Sequence, residues 1–419
     1  MITLNDSFFS GIACYLNGRF QDYKLLISSY DYIQTILFPD GRHRTFQHKN
    51  SPVIHTENAE IRNAVAEYAN NPIITKVNKT NLITYLGDCV DINEKEILST
   101  IQDLQTEDLE IRGSIKRHLI KKAHFCSNIN KYQQITFTDI DYVFYERQYG
   151  KQIYQHSFSI KNNSTALLAA IDRNYLNMIT RALHAYISTE TIFTDDDARK
   201  PLILSPKVAA TLAHELGHFA EEDYFSSNKE ISRYFGKKLA IDQFSLCNDT
   251  FINDYASTYF FDDEGNEPLN TQIFKNGVFC GIIGRKANAR LSYKENIVLP
   301  RMTHIYIENG NTSFEEMIST VKNGYYIKLP LFGMEHPETF SLELHCMVAQ
   351  EISNGKLSQN YKKDVTLNFR AVDLLKRIKF IGAYPVFDGD GYCYKGPIGK
   401  LGVKVTKSAP HILLDSEDK

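Results

Sequence analysis

In the segment His214-Glu215-Leu216-Gly217-His218, two histidines four residues apart enclose a glutamate. On a helix that spacing turns both imidazoles to one side, one turn apart, where they can share a single zinc ion. The glutamate is then placed to take a proton from water activated by the metal. These are the ligand and base types of a metal-dependent peptidase. With 13 histidines in the chain, chance alone produces such a pattern in roughly one sequence in fifty, so the surrounding residues must be weighed.

Those residues predict a helix that begins at Ser205-Pro206, with serine as N-cap and proline in the first turn, where its missing N–H is not needed. At about 100° per residue, Val208, Ala209, Leu212, Ala213, Leu216, Phe219 and Ala220 form one arc, and Lys207, Thr211, His214, Glu215, His218 and Glu222 the other. The expectation is a helix buried on one side that presents His214, Glu215 and His218 on a wet face. Gly217 costs such a helix on the order of 1 kcal/mol relative to alanine, which predicts a close approach at that position.

A catalytic zinc requires a third protein ligand and leaves a fourth position to water. A metzincin would place glycine at 221 and histidine at 224, where this chain has Glu221 and Tyr224; that class is excluded. A thermolysin-like enzyme would add a glutamate from a downstream helix. The residues after His218 turn polar and then strand-like with no obvious donor of that kind, so this alternative stays open.

From about Leu202 onward the chain resembles the TldD/PmbA family of metallopeptidases, in its metal-bearing TldD branch. The matching pieces are Leu202-Ile203-Leu204, the histidine helix, Asp262-Asp263-Glu264-Gly265, Gly284-Arg285, Asn288-Ala289-Arg290-Leu291, Pro300-Arg301-Met302-Thr303, Glu315-Glu316-Met317-Ile318, Val321-Lys322-Asn323-Gly324 and the Cys393 segment, in the family's order. The resemblance implies that the third ligand is Cys393, within a glycine-bearing loop from Gly389 to Gly396. The set it implies is metal ligands His214, His218 and Cys393, catalytic Glu215 and cofactor Zn2+. It further implies a dimer, preferably with a PmbA/TldE-like metal-free subunit, an enclosed active site, and extended peptides held by β-strand addition. In one respect the chain departs from the family pattern. Two residues, not three, separate Glu215 from His218, which predicts a regular helix here or a differently seated ion.

Composition bounds the rest. The 419 residues carry a formal net charge of −3 and 43% hydrophobic residues, a globular protein with room for two or three domains. Near-neutral charge gives no reason to expect nucleic acid or an anionic membrane as partner. No apolar run approaches the roughly 20 residues of a membrane span, and the first residues do not read as a secretory signal. Seven irregularly spaced cysteines argue against a disulfide framework and for a reducing, cytoplasmic setting.

The elements that must position the site follow from periodicity and turn chemistry. Tyr32–Phe38 before Pro39-Asp40-Gly41 reads as a strand entering a turn, Ala59–Asn70 as a helix, and Glu94 to about Cys126 as a helix or helix pair. A hairpin follows, whose second arm alternates Tyr154, His156, Phe158 and Ile160 with polar residues, making His156 a packed residue and not a ligand. Residues 165–190 read as helical. Asn276-Gly277 and Asn354-Gly355 mark two-residue hairpins, and Ser313–Glu316 is a capping box whose helix stops at Gly324. The predicted fold class is α+β, a helix-rich α/β N-terminal region followed by a large, mainly antiparallel β domain carrying the metal-binding helix. The predicted domains are 1–95 (α/β), 96–195 (helical and hairpin) and 196–419 (catalytic). The functional expectation is a zinc-dependent peptidase acting on peptides or unfolded segments, with maturation of a peptide precursor as its setting. The alternatives are a non-catalytic partner subunit of such a complex and a thermolysin-like enzyme.

Overall fold

Leu109, Ile111 and Ile115, all fully buried, fall on alternate positions of a stretch whose partners are charged, and that period of two makes Leu109–Cys126 an 18-residue strand. The sequence reading of a second helix there is therefore corrected: the helix is confined to Glu94–Asp103, capped by Asn93, and the charges beyond it belong to a strand of a sheet. The structure, a computed structural model, describes residues 24–49, 53–55, 82–86, 92–126, 130–161, 171–250, 255–284, 290–294, 297–395 and 401–417, and the single positions 16, 60 and 63. Apart from Glu60 and Asn63, the predicted helix Ala59–Asn70 lies outside the described residues.

Three large sheets organise the chain. The first has seven strands, running His43–Lys49, Lys24–Leu37, Leu109–Cys126, Asn130–Glu146 and Leu82–Leu86, with Val53–His55 on the second of these and Lys151–Ile160 on the fourth. Its first hairpin turns at Gly41, where φ is +88°, as Pro39-Asp40-Gly41 predicts. Residues on both sides of position 95 share this sheet, and among the described residues the N-terminal region is built on strands where a helix-rich one was expected. The helix Arg173–Ser188 is capped by Asp172. Its Leu176, Ile179 and Leu183 join Ile111 and Phe144 of the first sheet to Met347 and Val348 of the third.

The second sheet has the order Val278–Phe279, Thr271–Lys275, Leu246–Asp249, His304–Ile307, Leu401–Ala409, Val386–Lys395. The third runs Lys356–Arg370, Ser341–Ser353, Asn323–His336, Leu202–Leu204, Ile412–Leu414, Ile378–Ile381. Each is antiparallel except for one parallel pair, His304–Ile307 with Leu401–Ala409 and Asn323–His336 with Leu202–Leu204. Both predicted hairpins form: Asn276-Gly277 and Asn354-Gly355 have positive φ throughout, the requirement of a type I′ turn. The capping box at Ser313 and Glu316 is present, but the helix ends at Thr320 and Gly324 lies in a strand. A side chain there would press within 2.3 Å of the Pro201 carbonyl oxygen, so its role is close packing and not helix termination.

The helix Pro206–His218 runs between the second and third sheets, against Asn323–His336 and Ser341–Ser353 on one side and His304–Ile307, Leu401–Ala409 and Val386–Lys395 on the other. It is α-helical through the whole motif, the regular form that the two-residue gap allows. Leu212 and Leu216 share one core with Ile305, Ile327, Leu344 and Val405, each worth about 1.5–3 kcal/mol by burial. The expected wet face is a further correction. Lys207, Thr211, Glu215 and His218 are buried as well, because residues of all three sheets, among them His156, Lys407, Cys393 and Gly333, cover the polar arc. Lys207 Nζ donates to the buried His156 (Nε2, 3.2 Å) and Lys407 Nζ to Thr211 Oγ1 (3.4 Å), so the arc meets protein where water was expected.

Gly217 has the close approach its cost implied: a Cβ there would lie 2.4 Å from Met302 Sδ and 3.1 Å from Ile305 Cδ1. Gly217→Ala is expected to destabilise the fold by about 1–2 kcal/mol, overpacking outweighing the gain in helix propensity. Urea unfolding measures this, and an unchanged or raised midpoint would show that Met302 yields freely.

Candidate metal centre

The helix supplies two donors and a distant strand the third. His214 Nε2 and His218 Nε2 are 3.2 Å apart, and Cys393 Sγ lies 3.2 Å from His218 Nε2 across 175 residues of sequence. All three ligand atoms fall within 4.8 Å of one another. Cys393 belongs to Val386–Lys395, the outermost strand of the second sheet, opposite Val403. The glycine-bearing loop expected there is thus a strand with a register shift between Asp388 and Gly391. Neighbouring ligand atoms of a tetrahedral zinc with bonds of about 2.0–2.3 Å sit about 3.3–3.6 Å apart. Two imidazoles and a thiol at these spacings fit that ion in donor chemistry and in reach.

Behind the donors stands a chain of buried charge. His218 Nδ1 donates to Glu221 Oε2 (2.8 Å), and Lys395 Nζ donates to the same oxygen (2.5 Å) and to Asp223 Oδ1 (2.6 Å). Glu221 is 0% exposed. This partner fixes the tautomer and ring orientation of His218, while His214 Nδ1 is buried with no hydrogen-bond partner among the described residues. Arg301, fully buried, donates from Nη2 to the carbonyl oxygen of Cys393 (2.5 Å). The Pro-Arg-Met-Thr block therefore holds the cysteine strand through Arg301 and packs the motif helix through Met302.

Burial opposes charge on each of these groups, and the neighbours outweigh it on Cys393, His218 and Glu221 but not on His214 and Glu215. Burial pushes the Cys393 thiol up, but the imidazoles of His218 and His214 outweigh it and hold the thiol well below its usual range. By contrast burial drives the Cys247 thiol up to about 12 and raises that of Cys346. Burial would lower His218, yet Cys393 and Glu221 hold it well above its usual value; His214 is lowered, by burial above all. Glu221 stays near 2 because Lys395 and His218 outweigh its burial. Glu215 is pushed up to about 8 by burial, with His218 opposing and Glu335 reinforcing.

Besides the buried partners Glu221, Lys395 and Arg301, Glu335 and Tyr224 escaped the sequence reading. Glu335, from the strand Asn323–His336, brings a carboxylate oxygen within 4.8 Å of Glu215 and His218. Tyr224 donates from its hydroxyl to Glu335 Oε1 (3.3 Å). No periodicity marks either one, since a strand 120 positions away gives no local sign of where it will pack. Gly333, two residues before Glu335, leaves room for Glu215, whose Oε1 would be 2.4 Å from any Cβ there.

Residues 197–417 match the model of the PmbA/TldA metallopeptidase C-terminal domain. The chain belongs to the TldD/PmbA family of metallopeptidases. It is similar to a metalloprotease of Methanothermobacter thermautotrophicus, 26% identical over 51% of this chain and 48% of the relative. A zinc metalloprotease TldD homolog of Saccharolobus solfataricus is likewise 26% identical, over 51% of this chain and 49% of the relative. The chain spans about half the length of these curated relatives. Its fold is that of TldE from Thermococcus kodakarensis, with a TM-score of 0.67 at 12% identity over 98% of this chain and 99% of the other. Among the described residues no helix is long and apolar enough to cross a membrane.

Glu221→Gln removes the charge that His218 and Lys395 share. Zinc affinity is expected to fall about 10–100-fold, as for other partners of metal-ligating histidines. Competition with a chromophoric chelator reads this directly; unchanged affinity would reduce Glu221 to a packing role.

Proposed function

We propose that this chain is a zinc-dependent peptidase that hydrolyses peptides or unfolded polypeptide segments, with His214, His218 and Cys393 holding the metal and Glu215 as the base. The observation that carries this reading is the meeting of two imidazoles and a lowered thiol beside a buried glutamate, on elements 175 residues apart. When bound, zinc supplies a Lewis acid for the scissile carbonyl and acidifies the attacking water. Glu215 takes the water proton and returns it to the departing amine nitrogen. Glu221, backed by Lys395, keeps His218 turned toward the centre.

The substrate is proposed to lie extended along the strand Asn323–His336. That strand pairs with Ser341–Ser353 along its length, but on its other side it meets Leu202–Leu204 only through Tyr325–Ile327. The segment from 331 to 336 pairs with no further strand on that side among the described residues, and it carries Gly333 and Glu335 beside Glu215. Backbone donors and acceptors there suit β-strand addition, which admits extended chains and discriminates against folded ones. A dimer with a metal-free relative is proposed on the family resemblance, with the TldE name of a chain of this fold in support. Maturation of a peptide precursor is the proposed setting.

Glu215→Gln is expected to retain zinc and lose about 10²–10⁴-fold in turnover, measured by peptide cleavage alongside metal analysis. Cleavage at near wild-type rate would remove Glu215 from the mechanism. Cys393→Ser is expected to lower zinc content and activity together, whereas replacing Cys280 leaves both intact. Zinc retained at full stoichiometry in the serine variant would end the role of Cys393 as ligand.

A further inference from the structure

We propose that Tyr224 is a catalytic residue, whose phenol O–H donates a hydrogen bond to the scissile carbonyl oxygen as negative charge builds there. The inference rests on the peptidase reading above. Peptide hydrolysis needs more than a base. As the water oxygen bonds to the carbonyl carbon, the C=O π pair moves onto oxygen and the water proton passes to Glu215. Collapse then reforms C=O, breaks the C–N bond and delivers that proton to nitrogen. A donor aimed at the oxygen throughout is often the largest single contribution to such a step.

Two donors close to the centre are held in short bonds, Lys395 to Glu221 and Asp223 and Arg301 to the Cys393 carbonyl. Tyr224 is held more loosely, by a 3.3 Å bond to Glu335 Oε1 that it would exchange for the carbonyl oxygen. It is half-buried, its ring centroid lies 6.4 Å from that of His218, and its hydroxyl reaches the carboxylate grouped with Glu215 and His218. Burial, reinforced by the carboxylate of Glu335, raises the Tyr224 phenol above its usual range, so at working pH it is a neutral donor that forms a hydrogen bond and transfers no proton.

Preorganisation distinguishes Tyr224 from an incidental surface tyrosine. Lys395 Nζ stands 4.1 Å from the centroid of its ring, a cation–π contact. The same ammonium is pinned by Glu221 and Asp223 on the turn that leads into Tyr224. One buried lysine thus orients the partner of His218 and the tyrosine together. Beyond Ile327 the strand of Gly333 and Glu335 pairs with no further strand on that side among the described residues, and a peptide backbone would lie along that edge.

The test compares the full-length wild type with Tyr224→Phe, which removes one oxygen atom and preserves the ring over Lys395. The variant is expected to keep zinc stoichiometry and KM while kcat falls roughly 10²-fold. Calorimetry with a phosphinic peptide, a mimic of the tetrahedral state, is expected to show affinity lost by a similar factor. Binding of an intact substrate peptide, measured with Glu215→Gln in both backgrounds, is expected to stay the same. A kcat within about twofold of wild type, or undiminished affinity for the phosphinic peptide, overturns the assignment of Tyr224 and leaves the peptidase reading standing. A zinc-loaded wild type that cleaves no peptide overturns both.

Discussion

The constraint on which the site depends is the burial of a polar helix face between two sheets. Water cannot solvate that face, so each polar group on it requires a protein partner or imposes a desolvation penalty of several kcal/mol. The partners form one alternating chain, in which the low-lying Cys393 thiol meets His218, His218 meets Glu221, and Glu221 meets Lys395, which reaches Asp223 at the surface. Breaking any link leaves an uncompensated buried charge on its neighbour. The same burial raises the proton affinity of Glu215.

Cys393 poses a second problem, because among the described residues its strand is the outermost of its sheet, with a neighbour on one side. Its other face is held by the first sheet. Tyr392, next in sequence and opposite in direction, lies 3.5 Å from the Tyr30 hydroxyl, and Lys404 Nζ stands 4.5 Å from the centroid of its ring. Behind them Lys404 pairs with Asp139 (2.9 Å), which bonds His118 (2.9 Å), which meets Tyr30 (2.6 Å). The N-terminal region thereby supports the strand of the candidate ligand Cys393, and none of its described residues joins the donor cluster. The Asp-Asp-Glu-Gly block strengthens the junction, since Lys122 of the first sheet donates to Asp263 (2.5 Å).

Local signals were legible wherever local physics decides. Asn276-Gly277 and Asn354-Gly355 turned because few other residue pairs accept two successive positive φ angles. The capping box formed because Ser313 and Glu316 satisfy each other's neighbouring N–H groups. The failures share one cause. Leu109–Cys126 alternates only over its first residues, and its paired lysines and arginines further on resemble an exposed helix; the sheet partners that make it a strand lie elsewhere in the chain. Gly324 looked like a helix stop, and its reason proved to be the Pro201 carbonyl from another strand.

The sequence by itself determined the local chemistry of this protein: a capped helix carrying two imidazoles and a carboxylate at one-turn spacing, and the order of blocks that places the chain in its family. The family resemblance singled out Cys393 among the cysteines, but tertiary structure alone brings it to those imidazoles, keeps the polar arc dry, and stands Glu335, Tyr224, Glu221 and Lys395 around it. The division is physical. Spacing along a helix is set by backbone geometry within a few residues, whereas desolvation and charge pairing depend on what packs across the gap between two sheets, and those partners are drawn from strands separated by more than a hundred positions.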